Sequence, residues 1–376
     1  MGYRPAVYAR IVVGAGAMGA SAAYFLSPLH GRTLVLERFH ENHAFGSSHG
    51  QTRILRTAYA EGAAYVPLVV RARQLWVQLS RAARQEIFRP TGVILAARSS
   101  SESLGHARRS AERWKLPHEM LEPTEARPRF PAFRFAEGEL ALWDPKGGVL
   151  FPERAIAAIR RISHGRGTAF RWNSRVTEWR VQPGGRILVR TATREYLTDE
   201  LVVATGAWMP DLVPRLRGSL SVEQQTVYWF RPRVRSGGSF QGMPAFVWYN
   251  SKGGYFYGTP DVGDGAKIGG CIGQRIPNPS RRLPPSAREL RSILAFRKEH
   301  LPLLSVRSHR HVTCLYTNTP DKNFIVDFHP DSRNVVIVSA CSGHGFKFAT
   351  AIGELVANAL ETGRLSPRLA PFRLPR

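Results

Sequence analysis

One glycine-rich turn near the start limits the fold of this chain more than any other feature. Gly14-Ala15-Gly16-Ala17-Met18-Gly19 follows the apolar run 7–13 (VYARIVV) and opens a small-residue segment over 17–27. A second apolar run, 32–37 (RTLVLE), ends in Glu37, 18 residues beyond Gly19. The three segments read as strand, helix and strand. The glycines permit a tight turn and let a pyrophosphate approach the helix N-terminus, where backbone N–H groups and the helix dipole favour an anion. An acid at Glu37 accepts ribose hydroxyls and disfavours a 2′-phosphate. Residues 11–26 would also suit a signal-peptide core, but the dinucleotide reading accounts for more of them. The turn by itself does not separate NAD from FAD.

The 376 residues are too many for one ordinary core and suit two domains, or one with an insertion. Helical spacing of apolar residues predicts helices over 64–81, 153–163, 285–300 and 346–362. Strands are predicted at 91–97, 184–190, 200–205, 222–230, 244–249, 254–258, 266–268 and 334–340. The segment 101–145 is polar and proline-dotted. Dinucleotide-type elements thus stand at the start, middle and end, with antiparallel-looking strands between them. The expected fold class is α/β: a discontinuous, doubly wound cofactor domain (1–90, 146–215 and 315–376) with a β-rich antiparallel substrate domain (91–145 and 216–314).

The formal charge of +25 raises nucleic-acid binding as a possibility. Yet 46 of the 53 basic residues are arginines scattered along the chain, with no basic helix or tail. No nucleic-acid partner is expected, and the charge is better suited to steering small anions. Against that background the seven lysines stand out, because a compact ammonium serves places that a planar guanidinium cannot. Three cysteines, Cys271, Cys314 and Cys341, do not make a disulfide framework, so a reducing, cytoplasmic setting is expected. No apolar run reaches 18 residues, so no membrane span is expected, and no metal site is read from the sequence.

Three further clusters carry a resemblance. The first is Gly46-Ser47-Ser48-His49-Gly50-Gln51-Thr52-Arg53-Ile54-Leu55-Arg56, with Tyr59 after it. The second is His311-Val312-Thr313-Cys314-Leu315-Tyr316-Thr317-Asn318-Thr319-Pro320-Asp321, followed by Phe324 and Asp327. The third is Ser342-Gly343-His344-Gly345-Phe346-Lys347-Phe348. Together with the opening turn and Thr205-Gly206-Ala207-Trp208, they resemble the monomeric sarcosine oxidase family, with its N-methyltryptophan and pipecolate oxidase relatives, from about residue 10 to 360.

The resemblance implies FAD, held by Gly14, Gly16, Met18, Gly19, Glu37, Arg38, Ser47, Thr52, Val176, Gly206, Trp208, Gly343, Gly345, Phe346 and Lys347, and joined covalently to Cys314 through a thioether. It implies that Arg56 and Lys347 hold a substrate carboxylate, and that Tyr257, Tyr316 and Cys271 line the substrate pocket. Lys267 matches the lysine that activates oxygen, and His49 and Arg53 match basic residues beside the flavin ring. The activity implied is oxidation of a secondary amine bearing a carboxylate to an imine, with oxygen going to hydrogen peroxide, in a monomer whose partners are a small amino-acid-like substrate and oxygen. A same-fold dehydrogenase using another acceptor is one alternative, and a nucleic-acid-binding protein with a vestigial flavin fold is a remote one.

The chain departs from that family in two places. Gly270 and Cys271 stand where sarcosine-specific relatives carry a bulky residue and then a histidine, so a widened pocket is expected, bordered by Trp248, Tyr249, Tyr255 and Phe256. Arg10 lies inside the first strand, where an apolar or acidic residue is expected. His311 and Arg310 are the expected cations around the Cys314 thiol.

Overall fold

The structure is a computed structural model and describes residues 5–233, 238–251 and 253–374. Its first sheet has eight strands. Ala6–Val13 lies between Thr33–Leu36 and Glu195–Val203, parallel to both, and Ala169–Arg171 and Ser332–Ser339 extend the parallel set outward on either side. Ile325–His329 adds an antiparallel strand beside Ser332–Ser339. Ile187–Thr191 pairs antiparallel with the first half of Glu195–Val203, and Val176–Val181 pairs antiparallel with Ile187–Thr191.

The parallel strands are buried on both faces because their runs carry apolar residues at successive positions. Val12, Val35, Val202 and Val336 pack towards the helices Ala17–Leu26, Val66–Ala83, Pro152–Gly165 and Ala349–Thr362. Their neighbours Ile11, Leu34, Leu201 and Val335 pack on the other side with Val176, Ile187, Met209 and Leu212. Two glycines allow the close approaches. A Cβ on Gly19 would sit 1.8 Å from the Gly14 carbonyl oxygen, and one on Gly353 would sit 2.6 Å from the Ser21 backbone, where the first and last helices cross.

Arg10 has a partner that the sequence did not reveal. In register it faces Glu200 on the adjacent strand, its Nε donates to that carboxylate at 2.9 Å, and its Nη1 donates to the His30 carbonyl at 2.8 Å.

The second sheet has nine strands. Ser221–Phe230, Ala266–Gly270, Tyr255–Thr259 and Ala245–Tyr249 form an antiparallel run, and Val93–Arg98 joins it in parallel. Arg310–Asn318, not foreseen as a strand, pairs with Ser221–Phe230 from Ser221↔Asn318 to Trp229↔Arg310, so it stays in this sheet beyond residue 315. One face carries Tyr228, Phe230, Phe246, Trp248 and Ile268 against the helix Ala287–His300. The two-residue period then turns Val227, Val247, Tyr249, Tyr257, Lys267, Cys314 and Tyr316 to the opposite face, over the first sheet's glycine turn.

The polar segment after residue 100 contains an unforeseen helix, Glu102–Arg113. Ser101 caps it, and Leu104, Ala107, Ser110 and Ala111 make its buried stripe. Mostly small residues carry that stripe, between arginines, which hid the helical period. No helix among the described residues is long and apolar enough to cross a membrane.

Candidate active site

A large cavity runs between the two sheets. Gly14, Ala15, Gly16 and Met18 lie at one end with Glu37 and Arg38, and Arg56, Tyr249, Tyr257, Tyr316 and Lys347 lie at the other. The lining also includes Ser47, His49, Thr52, Arg53, Val176, Gly206, Lys267, Cys314, Gly343, Gly345 and Phe346, and Trp208, whose ring centre lies 4.7 Å from the Arg38 guanidinium. Gly19 does not line the cavity; it is the packing contact under Gly14 described above.

At the glycine end the helix Ala17–Leu26 starts at Gly16 with no cap from its own first residue, and Ser48 Oγ accepts the Ala17 N–H at 3.1 Å. Gly14 has φ +102°, and a Cβ there would meet the Ala204 carbonyl oxygen at 2.4 Å. Glu37 is buried and accepts the Ala15 N–H at 2.8 Å and the Phe39 N–H at 3.1 Å. Burial alone would raise its pKa, but hydrogen bonds from His43 and Ala15 hold the carboxyl below its usual range. The acid stays charged on the cavity wall beside the glycine turn.

In the middle of the cavity Arg53 ties its own loop together, donating to the carbonyls of Ser47 (2.8 Å), His49 (2.6 Å) and Thr52 (2.8 Å). Glu153 accepts the Gly50 N–H at 2.7 Å and the Gln51 N–H at 3.0 Å; nothing in the sequence pointed to this carboxylate, which sits in the first turn of a helix. Lys267 is buried and donates to the carbonyls of Gly50 at 3.0 Å and Thr52 at 2.6 Å. Burial and the nearby Arg53 push its pKa well down. His49 is also buried, and burial with Arg53 takes it down to about 4, so it is neutral at pH 7.

Cys314 is buried on the cavity face. Burial raises its thiol pKa, partly opposed by Arg53, Lys267 and Arg282. Those cations, rather than the sequence neighbour His311, are the ones that act on it. His311 follows the strand alternation to the other face, where its ring lies 6.1 Å from Tyr228.

At the far end Arg56 is buried and paired with Glu61, and its guanidinium lies 4.3 Å from the centre of the Tyr59 ring. Glu61 was missed by the sequence reading: it lies in an irregular loop where no periodicity marks it. Burial would raise its carboxyl, but Arg56 and His344 hold it at about 2. Lys347 donates to the His344 carbonyl at 2.6 Å and approaches the Tyr59 hydroxyl at 3.4 Å, while burial and Arg56 lower its pKa to about 7. Tyr59 in turn shares a 2.7 Å hydrogen bond with His344 Nδ1, and the hydroxyls of Tyr257 and Tyr316 meet at 3.0 Å.

The expected widening at Gly270 and Cys271 is not what the structure has. A Cβ on Gly270 would point to Ile293 and Phe256, at 3.5 Å from each, on the helix side of the sheet. Trp248 and Phe256 lie on that side too. Cys271 is not among the residues lining the cavity; its Sγ accepts the Tyr255 N–H at 3.2 Å. Of the four aromatics expected at this wall, Tyr249 and Tyr255 line the cavity.

The residues present fit an FAD. A helix N-terminus and a buried charged Glu37 suit its pyrophosphate and ribose, and the buried Nε2 of His49 has no protein partner among the described residues. Among those residues no group of three His, Cys, Asp or Glu is placed to hold a metal ion.

Fold and site together define a flavin-dependent oxidoreductase built from a dinucleotide-binding sheet and a substrate sheet. Residues 11–359 match the model of the family described as FAD dependent oxidoreductase. The chain is 35% identical to monomeric sarcosine oxidase of Streptomyces avermitilis, over 97% of this chain and 96% of the relative. It is 33% identical to N-methyl-L-tryptophan oxidase of Salmonella enteritidis, over 98% and 99%. NikD, an amino acid oxidase of nikkomycin biosynthesis, shares the fold at a TM-score of 0.85 and 20% identity, over 98% of this chain and 97% of that one. The chain belongs to the FAD dependent oxidoreductase family, in the branch that holds the sarcosine and N-methyltryptophan oxidases.

Proposed function

We propose that this FAD amine oxidase acts on a secondary amine bearing a carboxylate, an N-methyl or cyclic amino acid, with oxygen as the electron acceptor. The observation that carries this reading is the far end of the cavity. Two buried cations, Arg56 and Lys347, stand there with a carboxylate, Glu61, already on Arg56. A guanidinium and an ammonium make a suitable anion clamp, one fork-like and one point-like. The first sheet and its helices would serve the cofactor, and the second sheet the substrate.

FAD would be held by the glycine turn, Glu37, the 46–53 loop and the 343–347 turn, with Cys314 as its covalent link; when bound, it accepts two electrons from the amine carbon and passes them to oxygen. The protein's own groups do the rest. Arg56 and Lys347 fix the carboxylate and so orient the amine carbon. The linked Tyr257 and Tyr316 hydroxyls wall off the site from water. Lys267 places a fixed cation where negative charge develops on oxygen.

Loss of the Arg56 guanidinium tests the reading. An Arg56→Ala enzyme is expected to bind a carboxylate inhibitor about ten- to a hundredfold more weakly, the effect of losing a charged hydrogen bond of about 1.5–3 kcal/mol. Binding of the matching uncharged amide should barely change, and equal losses for both would mean that Arg56 supports the fold instead.

Lys347 adds a pH dependence with a definite sign. Its depressed pKa of about 7 leaves it charged below that pH and neutral above. Affinity for a carboxylate lacking an amine is therefore expected to be greatest below pH 7 and to fall by up to about tenfold per unit above it. Titrations from pH 6 to 9 check this, and a Lys347→Met enzyme should show a flat profile.

A further inference from the structure

Of the side chains lining the cavity, two hold a fully buried polar atom without a partner among the described residues: His49 Nε2 and Tyr249 Oη. The first lies in the loop assigned above to the flavin. The second lies at the substrate end and is unexplained. Tyr249 is only 9% exposed, so its hydroxyl has no ready access to bulk water. Buried polar groups in native proteins are nearly always paired, and an unpaired one calls for a reason.

The surroundings supply the reason. Tyr249 ends the strand Ala245–Tyr249 on its cavity face, directly opposite Tyr255 in register. Ring centres of Tyr249 and Tyr255 lie 6.3 Å apart, and those of Tyr255 and Tyr257 lie 6.1 Å apart, so the three rings hold one another in place. Arg56 and Glu61 line the same cavity as Tyr249, and burial keeps the phenol protonated and therefore a donor. It does not bond to Glu61, although that carboxylate is already engaged with Arg56.

We propose that Tyr249 is a specificity-determining residue whose hydroxyl donates a hydrogen bond to the carboxylate of the substrate, as a third ligand beside Arg56 and Lys347. This rests on the reading that those two cations hold a carboxylate. The geometry makes Tyr249 a selector rather than an anchor. A carboxylate brings two acceptor oxygens to the three donors; an amide brings one oxygen and an NH2 that cannot accept, so it leaves part of the donor set unpaired. A site built around such a donor discriminates strongly against a ligand lacking the acceptor.

The test uses the FAD-loaded enzyme and two flat probes of similar shape, benzoate and benzamide, with binding read from the flavin absorbance. Tyr249→Phe keeps the ring packing and removes only the hydroxyl. The expected result is a rise of about tenfold in the benzoate dissociation constant with little change for benzamide, so that the preference for the anion shrinks. Arg56→Ala is measured beside it. If Arg56→Ala weakens benzoate and Tyr249→Phe does not, the inference is overturned while the carboxylate reading stands. If neither variant weakens benzoate, the carboxylate reading itself fails. Equal weakening of both probes in Tyr249→Phe would give the hydroxyl a role in shape alone and also overturn the inference.

Discussion

Replacing Lys267 by methionine is expected to slow the return of the reduced enzyme to its yellow form in air by about 10²–10³-fold, the effect of losing one preorganised electrostatic donor. Bleaching by substrate without oxygen should stay close to that of the unaltered enzyme. The Lys267 ammonium is buried on the cavity face of the second sheet. Two of its three N–H groups are taken by the carbonyls of Gly50 and Thr52. The third is left for a group in the cavity. The Trp229 ring centre lies 5.7 Å away and Arg310 covers the same ring at 4.6 Å, so the position is fixed. A cation held in a dry site costs no reorganisation when charge appears on oxygen, and this is where its effect is largest. Burial and Arg53 both lower the pKa of Lys267, so reoxidation should also slow as pH rises. Stopped-flow traces of the two half-reactions separate the roles: if anaerobic bleaching collapsed and reoxidation stayed fast, Lys267 would belong to substrate binding.

The second large effect is all-or-none. Acid-denatured protein is expected to carry its yellow colour into the pellet, whereas a Cys314→Ala protein should release it to the supernatant. Cys314 is a free thiol on the cavity face. Burial makes it a poor general nucleophile at neutral pH, but Arg53, Lys267 and Arg282 offset part of that cost. Such a thiol is inert towards solvent reagents and suited to an electron-poor ring seated against it. Colour leaving the unaltered protein's pellet would falsify the covalent link.

The features legible in the sequence are those whose meaning is local. The glycine turn works through its own backbone and the next strand's Glu37, all within one strand–helix–strand unit. Tyr257, Lys267, Cys314 and Tyr316 come from the resemblance rather than from periodicity; the structure has them on one face because side chains alternate along their strands. The residues misread are those whose meaning depends on a partner distant in sequence. Gly270 looked like a pocket wall, but it sits one step out of phase with Lys267 and faces Ile293. His311 failed as a neighbour of Cys314 for the same reason. Arg10 made no sense until Glu200 appeared beside it, 190 residues away. Glu61 lies in a loop, and its pairing with Arg56 follows from a turn that no periodicity describes.

The central claim is that an amine carrying a carboxylate gives its electrons to oxygen in this protein. The most direct test follows oxygen uptake and hydrogen peroxide together, with sarcosine, N-methyltryptophan, proline and pipecolate, each beside its carboxamide. At least one acid is expected to give one peroxide for each oxygen consumed, with its carboxamide a far poorer substrate. Bleaching without oxygen uptake would contradict the oxidase assignment, and no bleaching by any of the four acids would contradict the substrate class.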